Sequence, residues 1–184
     1  MKVIAGEYKG RRLAIKADGV RPTSGRVKEA VFSMVDPYIE DAVCLDLFAG
    51  SGALGIEALS RGADRAYFCD VDQDSIAALR QNLDICKIEG RRAVVLAMDW
   101  RSALVKLSEK CNLVFIDAPF DMCDYYSQIL ETLAGQKVLA DFAAIVIEHG
   151  ADAGGYLLPV GYERIREKRY GNTGIDILLY NGAE

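Results

Sequence analysis

Four aspartates stand at comparable points of this sequence, each at the end of a short apolar run or just after one. They are Asp46, Asp70, Asp99 and Asp117. The carboxyl ends of parallel strands meet at one edge of a sheet, where ligands bind. A carboxylate at that edge accepts hydrogen bonds and attracts cations. Any one of the four could instead cap a helix or form a turn, but their repetition at successive strand ends predicts a shared site.

A glycine-rich turn directly follows the first of these aspartates. Gly50, Gly52 and Gly55 match the pattern G-x-G-x-x-G, which dinucleotide-binding folds and methyltransferases share. A tight strand-to-helix turn with no ligand would need the same glycines. The carboxylate of Asp46 would repel the pyrophosphate of NAD, whereas it would attract the sulfonium and ammonium groups of S-adenosylmethionine. The turn therefore favours S-adenosylmethionine as the cofactor.

The other strand-end residues predict how that cofactor is held. Asp70 lies where an acid about 20 residues beyond a glycine motif accepts the ribose hydroxyls. Asp99 is placed to accept from the adenine amino group, with Trp100 or Met98 near the ring. The predicted cofactor contacts are Asp46, Phe48, Ala49, Gly50, Ser51, Gly52, Asp70, Val71, Asp99 and Trp100.

The fourth aspartate begins the predicted catalytic loop, Asp117-Ala118-Pro119-Phe120. Methylation of an aryl amine requires its lone pair to face the methyl group, and acceptors on its two N–H bonds achieve this. Asp117 and the backbone carbonyl of Ala118 are the candidate acceptors, while Phe120 stacks on a base lifted from its surroundings. A loop whose Phe120 packs in the core is the alternative.

The elements that must position these residues alternate along the chain. Apolar runs predict strands at 43–47, 66–69, 93–97, 113–116, 144–147 and 175–180, and helical periodicity predicts helices at 53–61, 75–83, 100–107 and 126–133. This order indicates a doubly wound, mainly parallel α/β sheet. It leaves open whether the final strand runs parallel or antiparallel. Asp72 and Asp74 are expected to cap the helix that begins near Ser75.

Two short runs at 2–5 and 12–15 predict a small N-terminal hairpin, and apolar spacing after Arg21-Pro22-Thr23-Ser24 predicts a helix capped by Thr23 or Ser24. We therefore divide the chain into a hairpin extension, 1–20, and a Rossmann-like domain, 21–184, that includes this helix. The sequence contains no internal repeat, and 184 residues allow one well-buried core rather than two full domains.

The charge distribution and the cysteine and histidine content indicate which partners and sites are possible. The net charge is −5, yet the first 30 residues carry eight basic side chains against three acidic ones, so a basic edge on an acidic body is compatible with RNA. Arg164, Arg166, Lys168 and Arg169 form a second basic cluster; solvated surface explains either cluster equally well. Five scattered cysteines and one histidine predict neither disulfides nor a metal site. With no apolar run long enough for a membrane span, a cytoplasmic protein is expected.

Three segments of the sequence, 3–13, 21–32 and 45–63, together with Tyr170-Gly171-Asn172-Thr173, resemble the RsmD family of 16S rRNA guanine-N2 methyltransferases. The resemblance covers essentially the whole chain. It implies a class I methyltransferase with a seven-stranded sheet, an N-terminal hairpin that helps to hold RNA, and a guanine of 16S rRNA in an assembling small ribosomal subunit as substrate. The residues expected to contact RNA are Lys9, Arg11, Arg12, Arg21, Thr23 and Arg26, and a monomer is expected.

One residue departs from the family pattern. The Asp/Asn-Pro-Pro-aromatic signature falls on Asp117 to Phe120, with Ala118 in place of the first proline. Alanine still supplies the backbone carbonyl, although its φ is less constrained. Asp-Ala-Pro followed by cysteine would resemble RNA cytosine-C5 methyltransferases, but Phe120 occupies the position of the nucleophile and Cys123 lies three residues later. Three further functions stay open: a methyltransferase for another RNA or DNA amino group, an NAD(P)-dependent oxidoreductase, and an inactive RNA-binding protein.

Overall fold

The computed structural model describes residues 1–15, 25–118, 125–150 and 155–182. Helices and strands alternate through most of the chain. In chain order they are α1 (Gly25–Val35), β1 (Val43–Asp46), α2 (Ala53–Ser60), β2 (Arg65–Asp70), α3 (Gln73–Cys86), β3 (Ala93–Ala97), α4 (Trp100–Lys106), β4 (Cys111–Ile116), α5 (Tyr126–Gly135), β5 (Leu139–Gly150), β6 (Tyr162–Tyr170) and β7 (Thr173–Tyr180).

The strands form one seven-stranded sheet in the order β3-β2-β1-β4-β5-β7-β6. The first five strands in this order pair in parallel, whereas β7 runs antiparallel to both β5 and β6. The predicted mainly parallel α/β sheet is therefore confirmed, and the direction of the final strand, which the sequence left open, is antiparallel. Because the chain returns to the middle of the sheet between β3 and β4, the crevice expected for ligands lies at the carboxyl ends of β1 and β4.

Each face of the sheet is covered by its own hydrophobic core. Side chains alternate along β1, so that Cys44 joins the first core, under α1, α2 and α3, while Leu45 joins the second, under α4 and α5. Because both faces of the sheet are covered, the parallel strands have nearly continuous apolar sequences. Among the described residues, no helix has the length and apolar character needed to cross a membrane.

The sheet departs from the sequence prediction at its antiparallel end. β6 was not predicted, because its sequence is dominated by charged residues and most of its side chains are exposed. Such a pattern is typical of an edge strand, which charges protect from pairing with other chains. β5 extends over Leu139–Gly150, well beyond the predicted 144–147, since its ends carry polar residues that apolar periodicity cannot register.

Helix boundaries agree with the predictions to within three residues, and one cap is confirmed. Asp72 accepts a hydrogen bond from the backbone N–H of Ser75 at 2.8 Å and so caps α3, which begins at Gln73. Asp74 lies in the first turn rather than at the cap. The predicted caps of α1, Thr23 and Ser24, lie outside the described residues.

Residues 1–15, which we call the N-terminal hairpin, pair more sparsely than predicted. The structure contains one isolated antiparallel bridge, Lys2 to Arg12, in place of two regular strands at 2–5 and 12–15. Backbone bonds from Val3 N–H to the Arg11 carbonyl and from Leu13 N–H to the Met1 carbonyl hold the two arms together. Val3 and Leu13 point into the first core, so packing against the domain replaces the missing ladder.

One buried carboxylate, Glu57 of α2, fastens the hairpin to the domain. It accepts the backbone N–H groups of Ile4 and Ala5 at 2.9 and 3.0 Å, the ammonium of Lys28 at 2.8 Å and the Nε–H of Arg61 at 3.0 Å. Burial opposes its ionisation, but the bonds from Lys28 and Ile4 outweigh that effect and hold its pKa below the ordinary value. Glu57 therefore connects the hairpin, α1 and α2 through one anion.

The next turn of α2 adds a second attachment. Ser60 accepts from the backbone N–H of Tyr8 at 2.9 Å through its hydroxyl, and its carbonyl accepts from Glu7 N–H at 2.7 Å. This approach is so close that a Cβ on Gly6 would lie 1.6 Å from the carbonyl oxygen of Ser60. Arg92 completes the attachment from the side, donating to the Glu7 carboxylate at 3.0 Å and to the Tyr8 hydroxyl at 2.7 Å.

Two glycines of the hairpin offer a matched test of this docking. Gly6 and Gly10 have similar positive φ values, 79° and 84°, but a Cβ on Gly10 would meet nothing within 4 Å. Gly10→Ala should cost only the left-handed backbone strain, about 1 kcal/mol. Gly6→Ala adds the collision with Ser60, so it should cost at least about 2 kcal/mol more and expose the hairpin to protease. Urea unfolding and limited proteolysis measure both; equal losses would contradict the docked geometry.

Candidate active site

Strand register brings the predicted aspartates to one edge and one face of the sheet. Asp46 pairs with Phe68 of β2 and with Phe115 of β4, so that Asp70 and Asp117 each follow two residues beyond a partner of Asp46. Because side chains alternate along strands, an even offset keeps them on the same face. Three of the four predicted aspartates therefore converge beside the α1 and α2 face.

A fourth carboxylate in this row was missed in the sequence. Phe115 pairs with Val146 of β5, which places Glu148 level with Asp117 on the neighbouring strand. The two carboxylates line one narrow cleft whose floor and walls are Val31, Leu54, Phe115, Ile116 and Val146. Glu148 directly follows the predicted strand 144–147, as Asp117 follows 113–116, so the signal that identified Asp117 is present at Glu148 as well. The structure places Glu148 inside β5, which continues to Gly150.

Asp46 has the most unusual environment of the row. It is 1% exposed, and its Oδ2 accepts the backbone N–H of Gly55 at 3.0 Å. Its Oδ1 is buried and has no hydrogen-bond partner among the residues that the structure describes. Burial raises the pKa of Asp46 to about 7; the Gly55 bond opposes this, and the nearby charges of Asp117 and Asp70 add to it. The site thus contains a buried oxygen that a cationic or hydrogen-bond-donating group would satisfy.

Hydrogen bonds from the glycine turn to the end of β2 fix the turn beside Asp46. Asp70 accepts the backbone N–H of Gly50 at 2.7 Å through Oδ2 and that of Asp72 at 2.9 Å through Oδ1. Ala49 N–H donates to the Cys69 carbonyl at 2.9 Å. Gly50 has a φ of 51°, and a Cβ on it would enter open space, as expected where a backbone faces a ligand.

The third glycine of the motif has a packing role. A Cβ on Gly55 would lie 2.3 Å from the Phe68 ring, and one on Gly52 would lie 2.3 Å from Leu79. Gly52 also takes a positive φ, 80°, where it begins α2. These two glycines let α2 lie directly against β2 and α3, whereas Gly50 faces open space.

Asp99 and Trp100 both have structural roles at the start of α4. Oδ1 of Asp99 accepts from the backbone N–H groups of Arg101 and Ser102, both at 3.1 Å, and so caps α4. Bonds from Ser102 and Arg101 hold the pKa of Asp99 below its ordinary value. The Trp100 ring is buried in the second core with the Arg101 guanidinium 4.2 Å from its centroid. Their contacts with adenine stay a prediction.

Two apolar residues of the predicted cofactor set differ in exposure. Val71, directly after Asp70, is 63% exposed. Phe48 is half-buried and packs against the second core just before the glycine turn. An exposed valine beside a strand-end carboxylate offers an apolar surface at the site, which the fold itself does not require.

Half of the predicted catalytic loop falls within the described chain. Asp117 is half-buried beside Glu148 in the cleft, and the side chain of Ala118 is buried in the second core. Packing of that methyl group fixes the backbone where the family pattern has proline. Pro119, Phe120 and Cys123 lie outside the described residues.

The cysteines that the structure describes are poor nucleophiles. Cys44, Cys69, Cys86 and Cys111 are all buried. Burial raises the pKa of Cys69 and of Cys111 to about 12, so both remain thiols at neutral pH. Covalent attack through any of these four would require a thiolate that their surroundings disfavour.

The predicted RNA contacts lie on the hairpin and beside it. Lys9, Arg11 and Arg12 are exposed, and the Arg11 guanidinium donates to the carbonyl of Ile85 on α3 at 2.5 Å. Arg26 is exposed at the start of α1, where it lines an open cleft together with Met1, Lys2, Ile4, Gly25 and Glu29. Arg21 and Thr23 lie outside the described residues.

A polar cluster at the antiparallel end of the sheet was also missed. Buried Asp176 accepts the Tyr156 hydroxyl at 2.6 Å, and its Oδ2 lies 3.3 Å from Nε of Arg164 and 3.5 Å from Nε2 of His149. The Asp176 carboxylate raises the pKa of His149. The cluster attaches the segment after β5 to β6 and β7, beside the strand that carries Glu148.

Comparison with known proteins supports a common ancestry over nearly the whole chain. A family profile described as "Conserved hypothetical protein 95" matches residues 1–179. The ribosomal RNA small subunit methyltransferase D of Escherichia coli is 37% identical over 174 residues, covering 94% of this chain and 86% of that protein. The protein of the same name from Haemophilus influenzae is 35% identical, covering 93% and 89%.

Solved structures agree with the fold. The Escherichia coli protein yhhF superposes with a TM-score of 0.89 at 35% identity, covering 100% of this chain and 99% of its own. A more distant structure, SMU.776 complexed with SAH, gives a TM-score of 0.66 at 12% identity, covering 82% of this chain and 48% of its own, and shows the shared fold alone. The family match, the two relatives and the shared architecture all agree: the chain belongs to the RsmD family, whose profile carries the description conserved hypothetical protein 95.

Proposed function

We propose that this protein is a methyltransferase that transfers a methyl group from S-adenosylmethionine to the exocyclic N2 of a guanine in 16S rRNA. The observation that carries the proposal is the row of carboxylates around the glycine turn. In this row, the buried Oδ1 of Asp46 has no hydrogen-bond partner among the described residues. Family membership and the names of the relatives support an rRNA substrate. We further propose that it acts as a cytoplasmic monomer on an assembling small subunit.

The residues present fit this cofactor. The buried anion of Asp46 suits its ammonium or sulfonium group, since a nearby cation would stabilise the ionised form. The open side of Gly50, flanked by Phe48, Ala49, Ser51 and Gly52, gives room for close approach to the backbone. When bound, S-adenosylmethionine supplies a methyl group already activated by the sulfonium.

Asp70 and Asp99 retain acceptor capacity for the remainder of that molecule. A carboxylate offers about four lone-pair positions, and Asp70 uses two of them on Gly50 and Asp72. We assign Asp70 to the ribose hydroxyls, with exposed Val71 against the adenine ring. Asp99 is assigned to the adenine amino group and Trp100 to the wall behind it.

The catalytic part of the proposal rests on positioning. Asp117 and the Ala118 carbonyl are assigned as acceptors for the two N–H bonds of the target amine, which turns its lone pair toward the methyl group. Packing of the Ala118 side chain in the second core holds that carbonyl in place without a proline ring. Pro119 and Phe120 are assigned to shape the loop and to stack on the base.

Methyl transfer can be measured directly. The purified protein, given radiolabelled S-adenosylmethionine, should label 16S rRNA, and digestion to nucleosides should place the label in N2-methylguanosine. Parallel reactions with naked 16S rRNA and with small subunits from cells that lack the gene identify the true substrate. Label in 5-methylcytidine, or saturable NAD(P)H binding without S-adenosylmethionine binding, would overturn the proposal.

Asp117→Ala should separate catalysis from cofactor binding. Because Asp117 is assigned to the amine, turnover should fall at least about 100-fold while the affinity for S-adenosylmethionine stays within a few-fold. Single-turnover transfer and calorimetry measure the two quantities. Asp141→Asn, an exposed carboxylate on β5, is the control. Loss of cofactor affinity in parallel with turnover would contradict the assignment.

Asp46 should make stability depend on pH. Its folded pKa, about 7, lies above the ordinary 3.8, so the folded state holds a proton that the unfolded chain releases as pH rises from about 4 to 7. Stability of the ligand-free protein therefore falls across that window. Asp46→Asn removes the effect: it should be about 2 kcal/mol more stable than wild type at pH 8, and less so at pH 5.

Urea unfolding at both pH values, without cofactor, measures this difference, and Asp141→Asn again serves as the control. Asp46→Asn should also weaken S-adenosylmethionine binding at pH 8, because the neutral amide offers no charge to a cation. An identical stability change at the two pH values would show that Asp46 is ionised throughout.

Hairpin arginines should contribute to the salt dependence of RNA binding. Replacing Arg11 and Arg12 by alanine should weaken binding and reduce the slope of log Kd against log salt concentration by about 0.7 for each phosphate that the variant no longer binds. The control replaces Arg166 and Lys168, two exposed cations on β6, and so removes the same charge elsewhere. A slope in the hairpin variant equal to that of wild type would remove the hairpin from the RNA interface.

A further inference from the structure

One buried side chain joins the hairpin to the glycine turn. Asn82 of α3 is 0% exposed. Its Oδ1 accepts the backbone N–H of Ala14 at 2.7 Å, and its Nδ2 donates to the carbonyls of Ala14 and of Ser51, both at 2.9 Å. All three bonds span more than 30 residues of sequence, so they are tertiary contacts rather than features of the helix.

Each end of this connection belongs to a different part of the proposed site. Ser51 lies between Gly50 and Gly52 in the turn assigned to the cofactor. Ala14 ends the hairpin arm that carries Arg11 and Arg12, which are assigned to RNA. Asn82 bonds both the N–H and the carbonyl of Ala14, as the backbone of a neighbouring strand would. Its second amide hydrogen is donated to the Ser51 carbonyl in the turn.

Three N–H groups of the turn have partners on β2 or within the turn itself. Ala49 N–H is held by Cys69, Gly50 N–H by Asp70, and Gly52 N–H by the Ala49 carbonyl at 2.7 Å. The Ser51 carbonyl is the group held from α3. Displacement of the hairpin would therefore reach the turn through Asn82, because a buried amide that loses one partner must find another or bear the cost.

We infer that Asn82 is a positioning residue that couples the hairpin to the cofactor turn, so that binding of RNA and binding of cofactor strengthen each other. The inference rests on the proposed function, since it takes the turn as the cofactor site and the hairpin as an RNA contact. Coupling is reciprocal: RNA must tighten cofactor binding by the same factor by which cofactor tightens RNA binding.

The test measures this coupling factor. Calorimetry gives the Kd of S-adenosylhomocysteine with and without a saturating fragment of 16S rRNA. The wild-type protein should show a ratio of roughly 5 to 10, the range expected of about one buried hydrogen bond. Asn82→Ala, which removes all three bonds, should bring the ratio to about 1. Gln81→Ala, its exposed neighbour on α3, should leave the ratio unchanged.

A second variant weakens the connection from the other end. Ala14→Pro removes the N–H that Asn82 accepts, while the bonds from Asn82 Nδ2 to the carbonyls of Ala14 and Ser51 can still form. Its affinity for S-adenosylhomocysteine without RNA should match wild type, while the coupling ratio should fall to roughly half the wild-type value or less, because one of the two bonds to Ala14 is lost. A merely structural role for Asn82 would lower stability without changing this ratio, and a wild-type ratio kept in both folded variants would overturn the inference.

Hydrogen exchange keeps the inference testable if the cofactor assignment itself fails. In the ligand-free protein, Asn82→Ala, which removes the bond to the Ser51 carbonyl, should increase exchange at the amides of residues 50–52 at least several-fold relative to Gln81→Ala and to Ala14→Pro. Unchanged protection of the turn would refute the connection. Failure of wild type to bind S-adenosylhomocysteine, with increased exchange in Asn82→Ala, would instead overturn the proposed function alone.

Discussion

Gathering carboxylates at one edge of a parallel sheet is electrostatically unfavourable, and this constraint organises the site. Backbone N–H groups offset this repulsion by donating hydrogen bonds to the carboxylates. Gly50 and Asp72 donate to Asp70, and Gly55 donates to Asp46. One oxygen of Asp46 has no hydrogen-bond partner among the described residues, and burial raises the pKa of this carboxyl to about 7. Without a ligand, Asp46 therefore favours its neutral form, and a cationic ligand would stabilise its ionised form.

The N-terminal hairpin, which carries the proposed RNA contacts, is also held in place by buried polar side chains. A polypeptide of 15 residues cannot hold a regular conformation alone, so it depends on Glu57 and Asn82, two buried side chains of the domain. Glu57 secures its first arm on α2, and Asn82 secures its second arm on α3. These helices flank the glycine turn, which means that the proposed RNA-contacting extension and the proposed cofactor site rest on shared supports.

Sequence reasoning predicted what depends on local pattern and missed what depends on tertiary pairing. The alternating strands, the glycine turn and the Asp72 cap carry local signals, and register then brought Asp46, Asp70 and Asp117 together as expected. The charged edge strand β6 and the polar ends of β5 have no apolar period and were missed. Glu148, in contrast, directly follows a predicted strand and carries the same signal as Asp117. Glu57 and Asn82 have the pattern of ordinary helix residues, because their partners on the hairpin lie more than 50 residues away.

The central claim is that Asp46 is a buried carboxylate reserved for a cationic cofactor. Its side-chain ¹³C resonance can be titrated by NMR in the free protein and in the presence of saturating S-adenosylmethionine. We predict a free pKa of about 7 that falls by at least about one unit when the cofactor binds, because the cation stabilises the carboxylate. A pKa that is unchanged, or raised, by bound S-adenosylmethionine would contradict the account.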